Sequence, residues 1–159
     1  MARKIEKVAV LGSGVMGSAI AAHLANAGIP SVVLDIVPGD PEADRNKIVD
    51  GAIQAALKAK PAPFFHKRLA GMITTGNFDD DWDKVRDADW IIEVVKEDLA
   101  IKKLVLGKVA AHRMAGSIVS SNTSGIPIVA MCADLDDEFK RHFLGTHFFN
   151  PPRYLKLME

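Results

Sequence analysis

Two clusters in this 159-residue sequence have the residue types and spacing that chemistry requires. The first, late in the chain, is His147-Phe148-Phe149-Asn150-Pro151-Pro152, followed by Glu159. An imidazole titrates near neutral pH and suits a general base, and a carboxylate nearby suits a group that orients it. The second, early in the chain, is the glycine-rich loop Gly12-Ser13-Gly14-Val15-Met16-Gly17. A phosphate-binding loop combined with a base and its carboxylate predicts a redox enzyme that oxidises an alcohol.

The glycine loop follows a predicted strand and opens a predicted helix, which is the setting that dinucleotide binding requires. Gly12 permits a tight turn, Gly14 lets a pyrophosphate approach the backbone, and Gly17 lets the helix pack closely on the sheet. The pyrophosphate is then expected at the helix N-terminus, against the free N–H groups of the turn that contains Val15 and Met16.

Asp35 lies 18 residues after Gly17, at the end of the next apolar run. A carboxylate at this spacing accepts hydrogen bonds from the adenosine ribose hydroxyls. It also repels a 2′-phosphate, and the following Ile36 and Val37 supply no arginine. The pattern therefore predicts NAD as the cofactor, in preference to NADP. The alternative interpretation is a turn rich in glycine with a helix-capping aspartate.

Short apolar runs alternate with longer helical patterns, which is typical of a parallel α/β sheet. Strands are predicted at 8–11, 32–35, 72–75, 90–95, 117–120 and 144–148. Helices are predicted from Val15 to Asn26, over a long stretch ending at Ala59, and from about Asp98, with Ile101, Leu104 and Val105 on one face. We therefore predict a Rossmann-type, doubly wound, mainly parallel sheet that forms one domain over residues 1–159. Ligands of such sheets bind at the carboxyl ends of the strands.

Composition narrows the possible classes of protein. Apolar residues make up 48% and charged residues 25%, and twenty basic residues balance twenty acidic ones. A net charge of zero gives no electrostatic case for nucleic acid or an anionic membrane. No apolar run approaches transmembrane length, and the N-terminal residues Met1 to Glu6 lack a signal-peptide core. The expectation is a protein without nucleic-acid or membrane partners.

Cysteine and histidine usage adds two expectations. Cys132 is the only cysteine, so it cannot form an internal disulfide, and a reducing, cytoplasmic setting fits. The remaining histidines show no metal-ligand spacing with Cys132 or with a carboxylate; they are His23, His66, His112 and His142. No metal is predicted.

Four stretches resemble the N-terminal NAD-binding domain of the 3-hydroxyacyl-CoA dehydrogenase family. They are Gly12 to Gly17, Asp89-Trp90-Ile91-Ile92-Glu93 on to Glu97-Asp98-Leu99, Ser121-Asn122-Thr123-Ser124, and His147-Phe148-Phe149-Asn150-Pro151 through Glu159. The last two motifs are the specific ones, and the likeness covers almost the whole chain. It implies NAD-dependent oxidation of L-3-hydroxyacyl-CoA to 3-ketoacyl-CoA in fatty acid β-oxidation, with an acyl-CoA as the substrate.

The resemblance also implies roles for individual residues. His147 matches the catalytic base and Glu159 the partner that orients its imidazole. Ser124 matches a serine that contacts substrate and nicotinamide, and Asn150 an asparagine that binds the reacting oxygen or the cofactor. For Ser124 and Asn150 the alternative interpretation is local turn chemistry.

Glu97 and Lys102 match family positions that contact NAD near the nicotinamide ribose. Their alternative is an ordinary pair on a helix surface. In the helical tail that contacts coenzyme A in the family, a serine is replaced by Ala56, while Lys58 and Lys60 suit either phosphates or solvent. The segment 61–65 suits either an entrance for acyl-CoA or a simple turn.

Family members continue into a helical C-terminal domain that provides a dimer interface, and nothing in these residues corresponds to it. We therefore expect only part of an enzyme here, a homodimer in the full-length protein, and in some members fusion to enoyl-CoA hydratase. Two alternatives stay open. One is another β-hydroxyacid dehydrogenase, a class that typically uses a lysine base, and the other is a non-catalytic NAD-binding relative.

Overall fold

The computed structural model describes residues 4–159. Residues 1–3 lie outside the described residues. They are part of the predicted domain and of the N-terminal segment in which the sequence shows no signal-peptide core. The strands are β1 (Val8–Leu11), β2 (Ser31–Asp35), β3 (Ile73–Asn77), β4 (Trp90–Glu93), β5 (Ile118–Ser121) and β6 (Phe143–Gly145). They form one sheet in the order β3-β2-β1-β4-β5-β6, and every neighbouring pair is parallel. The order reverses between β1 and β4, which confirms the Rossmann-type, doubly wound fold.

Helices cover the two faces of this sheet. They are α1 (Val15–Asn26), α2 (Lys47–Ala56), α3 (Leu99–His112), α4 (Ile128–Met131) and α5 (Asp137–Arg141), with short 3-10 helices at Lys67–Met72 and Trp82–Val85. Asp98 starts α3, because its carboxylate accepts a hydrogen bond from the Ile101 N–H at 3.0 Å. Gly28 follows α1 with a φ of 78°, a conformation that suits glycine and ends the helix.

Three elements end earlier than predicted. Helix α2 ends at Ala56 because the next turn tightens to i→i+3 bonds, with Lys58 N donating to Ala55 O. Strand β4 ends at Glu93 because the Val95 N–H turns to the Glu93 carboxylate at 2.7 Å. Strand β6 ends at Gly145, and Phe148 beyond it pairs antiparallel with Met158 instead of extending the sheet.

Two apolar clusters lie on the two faces of the sheet, since alternate strand residues point to opposite sides. Ala9 and Leu11 pack with α3 on one face, and Val8 and Val10 pack with α1 on the other. Cys132 is buried in the first cluster. Among the helices formed by residues 4–159, none has the length and apolarity needed to cross a bilayer.

Candidate active site

The glycine loop lies between the end of β1 and the start of α1. Gly12 has a φ of 105°, and a Cβ there would lie 2.7 Å from Val94 O. A Cβ on Gly17 would lie 1.8 Å from Gly12 O, so two of the three glycines are required by packing. Gly14 is exposed, and a Cβ there would meet no atom of the described residues within 4 Å. The loop is therefore closed on the protein side and open at Gly14, where a ligand can approach the backbone.

The N-terminus of α1 offers donors beside this opening. Gly14 is the N-cap residue, and no side chain of residues 4–159 caps the helix. Ser18 N donates to Gly14 O at 3.0 Å, which is the first i→i−4 hydrogen bond of the helix. The N–H groups of Val15 and Met16 come before this bond, in the first turn. Free N–H groups and the positive end of a helix dipole suit an anion. The residues present therefore fit the pyrophosphate of a dinucleotide.

A cleft of about 730 Å³ extends from the glycine loop along the sheet edge. Its walls come from the ends of β1, β2 and β4 and from α3; they include Gly12, Gly14, Asp35, Ile36, Val94, Ile101, Leu104 and Val105. Leu104 is 68% exposed although it is apolar, and its position in the cleft wall explains this. The predicted shared face of Ile101, Leu104 and Val105 is confirmed, and it faces the cleft.

Asp35 lies at the mouth of the cleft, at the end of β2. Its Oδ2 accepts hydrogen bonds from Ser13 N at 2.6 Å and Ser13 Oγ at 2.5 Å. Its Oδ1 accepts one from Ile36 N at 2.7 Å. A carboxylate has about four acceptor positions, so Asp35 is held in place with capacity left for one more donor. A ribose hydroxyl is a donor of the required kind.

His147 and Ser124 meet at the same sheet edge, beyond β6 and β5. Ser124 Oγ lies 3.1 Å from His147 Nε2, which is hydrogen-bond distance. The Phe149 ring lies 5.0 Å from the imidazole, centroid to centroid. A separate hollow of about 420 Å³ borders both residues and also Glu159. The imidazole is therefore oriented by a hydroxyl and opens toward a space that can admit a substrate.

Glu159 and Asn150 follow His147 in the chain, and their contacts in the structure differ. Glu159 is paired with His147 through the main chain, with His147 N donating to Glu159 O at 2.6 Å. Across residues 4–159, no ion pair joins the Glu159 carboxylate to the imidazole. Asn150 is exposed three residues beyond His147, before the cis peptide bond to Pro151. The orienting role of Glu159 and the ligand contacts of Asn150 stay predictions.

Glu97 organises the loop that carries Ser124. Its Oε1 accepts hydrogen bonds from Thr123 Oγ1 at 2.5 Å, Ser124 N at 3.1 Å and Gly125 N at 3.2 Å. Burial raises the pKa of Glu97, but hydrogen bonds from Thr123 and Lys102, the Lys102 charge and the Gly125 N–H outweigh it, lowering the pKa from 4.5 to about 2. The ionised carboxylate is thus a fixed part of the site.

Lys102 is not the surface residue that the alternative interpretation supposes. Its side chain is 1% exposed, and its ammonium lies 2.8 Å from Glu93 Oε1 and 3.2 Å from Glu97 Oε2. The third direction is taken by Val95 O at 3.4 Å. Because an ammonium has three hydrogens, all of its donors face protein oxygens in this structure. Its predicted contact with NAD stays a prediction.

Sequence reasoning missed two residues of the site. Glu93 is fully buried at the end of β4, where it reads as one polar position in an apolar strand. Asn122 Oδ1 accepts a hydrogen bond from Phe148 N at 2.9 Å and so ties β5 to the His147 segment. Both lie in stretches that resemble the family, Asn122 in Ser121-Asn122-Thr123-Ser124 and Glu93 in Asp89-Trp90-Ile91-Ile92-Glu93, but the sequence assigned a role to neither.

The segment 61–65 is tied to the chain that follows Asn150. Arg153 donates to Ala62 O at 2.6 Å and to Phe64 O at 2.8 Å. Its guanidinium also lies 4.6 Å from the centre of the Phe65 ring. Lys58 and Lys60 are exposed beside this segment. Within the described part of the chain, no group of three or more His, Cys, Asp or Glu side chains could hold a metal ion.

Fold and site together define an NAD-binding domain of Rossmann type. A glycine loop with an open Gly14, an uncapped helix N-terminus and an anchored Asp35 lie at the switch point of the sheet. The chain belongs to the family described as 3-hydroxyacyl-CoA dehydrogenase, NAD binding domain, which matches residues 7–159. NAD is the cofactor of this domain family.

Known relatives agree with this assignment. A Bacillus subtilis (strain 168) protein named a probable 3-hydroxyacyl-CoA dehydrogenase is 52% identical over 172 residues, covering 100% of this chain and 22% of the relative. A Rickettsia felis protein bearing the name of a fatty acid oxidation complex trifunctional enzyme is 43% identical over 159 residues, with 100% and 22% covered. This chain therefore spans about a fifth of the length of these two relatives.

Among solved structures, (S)-3-hydroxybutyryl-CoA dehydrogenase PaaH1 from Ralstonia eutropha superposes with a TM-score of 0.73 at 27% identity. The match covers 98% of this chain and 53% of that one. The likeness therefore extends over the whole NAD-binding domain and about half of the solved protein.

Proposed function

We propose that this chain is the NAD-binding and catalytic-base part of an enzyme that oxidises L-3-hydroxyacyl-CoA to 3-ketoacyl-CoA. The observation that carries the proposal is the 3.1 Å contact between His147 Nε2 and Ser124 Oγ, at the sheet edge that also holds the glycine loop. A base beside a dinucleotide cleft is the arrangement that oxidation of an alcohol needs. The names of the matched relatives supply the acyl-CoA substrate class.

Each residue has a definite task in this proposal. His147 takes the proton of the 3-hydroxyl group at Nε2, and Ser124 fixes the ring and the hydroxyl relative to each other. Asn150 donates its amide to the reacting oxygen or the cofactor, and Glu159 stabilises the protonated imidazole. Gly14 and Asp35 would hold the pyrophosphate and the adenosine ribose of NAD, respectively. When bound, NAD would supply the acceptor for the hydride that leaves the same carbon.

The wider setting of the enzyme belongs to the same proposal. The L isomer agrees with the (S) designation of the Ralstonia eutropha enzyme, and fatty acid β-oxidation agrees with the name of the Rickettsia felis protein. We also propose fusion to an enoyl-CoA hydratase in the full-length protein, which agrees with the word trifunctional in that name. We further propose a homodimer for the full-length protein and a cytoplasmic setting, the latter consistent with a lone, buried Cys132.

The test is NADH formation from L-3-hydroxybutyryl-CoA, with the D isomer as the matched control. It is run on the 159-residue chain and on the protein extended to the length of its relatives. We expect NAD binding by both but turnover mainly by the longer protein, since substrate placement can lower a barrier by about 7–11 kcal/mol. NAD binding without turnover of either isomer by the longer protein would support the non-catalytic alternative instead.

A further inference from the structure

Glu93 is a buried carboxylate to which the proposed chemistry gives no task. Its side chain is 0% exposed at the carboxyl end of β4. Oε1 accepts hydrogen bonds from Lys102 Nζ at 2.8 Å and Val95 N at 2.7 Å. Oε2 accepts from Lys102 Nζ at 3.0 Å and from Ser121 Oγ. All four acceptor positions of the carboxylate are therefore used by the protein itself.

Stability alone does not account for this pair. Removing a carboxylate and an ammonium from water costs free energy that their attraction often fails to offset, so an apolar pair of similar volume would hold a sheet as well. The pair of Glu93 and Lys102 also lies at the ligand-binding edge, at the end of β4 and the first turns of α3. Its position points to a role in arranging the groups around it.

Two routes lead from Glu93 to one loop. In the first, Ser121 Oγ donates to Glu93 and accepts a hydrogen bond from Thr123 N at 3.2 Å. In the second, Lys102 joins Glu93 to Glu97. Glu97 in turn accepts hydrogen bonds from the loop 123–125, including the Ser124 N–H. The Glu93 carboxylate is thus connected to the loop 123–125 twice, through Ser121 and through Lys102 and Glu97.

We propose that Glu93 is the positioning residue that places Ser124 against His147. The carboxylate fixes Ser121 and Lys102, these fix the loop 123–125, and the loop presents the Ser124 hydroxyl 3.1 Å from the imidazole. The catalytic consequence of this arrangement rests on the proposed dehydrogenase function. The arrangement itself can be tested without turnover.

The chain offers a control for loss of an ion pair that has one buried partner. Glu138 binds the Arg113 guanidinium, whose side chain is 4% exposed, and accepts a hydrogen bond from Gly116 N at 3.0 Å. Arg113 and Gly116 precede β5, and Glu138 lies in α5, which precedes β6, so all three lie toward the opposite edge of the sheet from Ser124. Glu138→Gln therefore removes a carboxylate charge that holds a buried cation, from a side chain that is itself 39% exposed, without touching the cleft.

The first experiment measures amide hydrogen exchange in the 159-residue chain. Glu93→Gln should speed exchange of the Ser124 and Gly125 amides about tenfold or more, as expected for loss of a hydrogen bond to a charged group. Amides in the centre of β1 should change much less, and Glu138→Gln should leave the loop amides as they are. Ser121→Ala, which cuts only the first route and keeps the ion pair, should give a smaller increase at the same amides.

The second experiment is a double-mutant cycle on turnover in the longer protein. Glu93→Gln and Ser124→Ala should each lower kcat, and the double variant should be no slower than the slower single one, because both changes remove the same contact. Glu138→Gln should lower the melting temperature and leave kcat unchanged.

Several results would overturn the proposal. Losses in kcat that multiply in the double variant would mean that Glu93 does not act through Ser124. Unchanged amide exchange at Ser124 and Gly125 in Glu93→Gln would mean that the loop is held without Glu93. If Glu93→Gln fails to fold, unchanged exchange at the same amides in Ser121→Ala would mean the same. Absence of turnover in the parent protein would reject the dehydrogenase function alone, since the exchange measurement would still decide whether Glu93 holds the loop.

Discussion

His147 and Glu159 face each other as main-chain partners: His147 N donates to Glu159 O at 2.6 Å, and Glu159 N donates to His147 O at 3.1 Å. The two residues come together because the chain reverses after Pro151 and Phe148 pairs antiparallel with Met158. A bridge made of backbone atoms places Glu159 beside His147 without depending on the Glu159 carboxylate. The position and the charge of Glu159 can therefore be tested separately.

Glu159→Gln should keep the bridge and slow turnover of the longer protein. A hydrogen bond to a charged group is worth about 1.5–3 kcal/mol, so we expect a loss in kcat of about ten- to a hundredfold. The melting temperature should stay at the parent value, since the main-chain pairing survives. Steady-state kinetics and thermal unfolding of the same preparation measure both quantities. Equal kcat values for variant and parent would remove Glu159 from the site.

Asp35→Ala should weaken NAD binding by about ten- to a hundredfold, through loss of a charged hydrogen bond to the ribose. It should also relax the rejection of NADP, because the carboxylate no longer repels a 2′-phosphate. Asp83→Ala is the control, since Asp83 is an exposed carboxylate 83% open to solvent and outside the cleft. Calorimetric titration with both cofactors gives the affinities. Equal affinity of the parent for NAD and NADP would contradict the role of Asp35.

The glycine loop allows binding and folding to be separated by two similar substitutions. Gly14→Ala adds a methyl group where nothing lies within 4 Å, so the protein should fold normally but bind NAD weakly, since the methyl occupies the approach to the backbone. Gly17→Ala places a Cβ 1.8 Å from Gly12 O and should lower the melting temperature strongly. Thermal unfolding and NAD titration of both variants test this. Similar NAD affinities for Gly14→Ala and the parent would contradict pyrophosphate binding at this loop.

The low pKa of Glu97 predicts a pH dependence of stability. The pKa is about 2 in the folded protein against 4.5 ordinarily. A group with a lowered pKa in the folded state contributes stability that is present above about pH 4.5 and lost as the pH falls toward 2. Glu97→Gln should therefore lower the free energy of unfolding at pH 6, and the difference from the parent should shrink by pH 3. Urea unfolding at the two pH values measures it; a difference that stays constant would argue against an ionised Glu97 in the fold.

The parts of the site that lie in local sequence patterns were predictable. The spacing of Gly12, Gly14, Gly17 and Asp35 predicted a dinucleotide site at the carboxyl ends of the strands. This was possible because the strand, the turn and the helix that form the site follow each other directly in the chain. His147 and Ser124 were named separately, and the structure brings them within 3.1 Å. Their contact follows from parallel strands β5 and β6 ending at the same edge.

Glu93 was beyond prediction because its partners are distant in the sequence. Lys102 follows nine positions later and Ser121 twenty-eight positions later. A single polar residue at the end of an apolar strand gives no sign of being buried until the sheet and α3 are assembled. The sequence therefore left open the alternative that Lys102 forms an ordinary ion pair on the helix surface. The 1% exposure of the Lys102 side chain in the structure shows that this alternative is wrong.

The general-base role of His147 is tested most directly by His147→Gln in the longer protein. One set of samples is assayed for NADH formation from L-3-hydroxybutyryl-CoA and titrated with NAD by calorimetry. We predict a loss of turnover of about 10²–10⁴-fold, the usual contribution of a general base, with the Kd for NAD unchanged because His147 lies outside the glycine-loop cleft. Turnover close to that of the parent, with NAD still bound, would contradict the central claim that His147 accepts the hydroxyl proton.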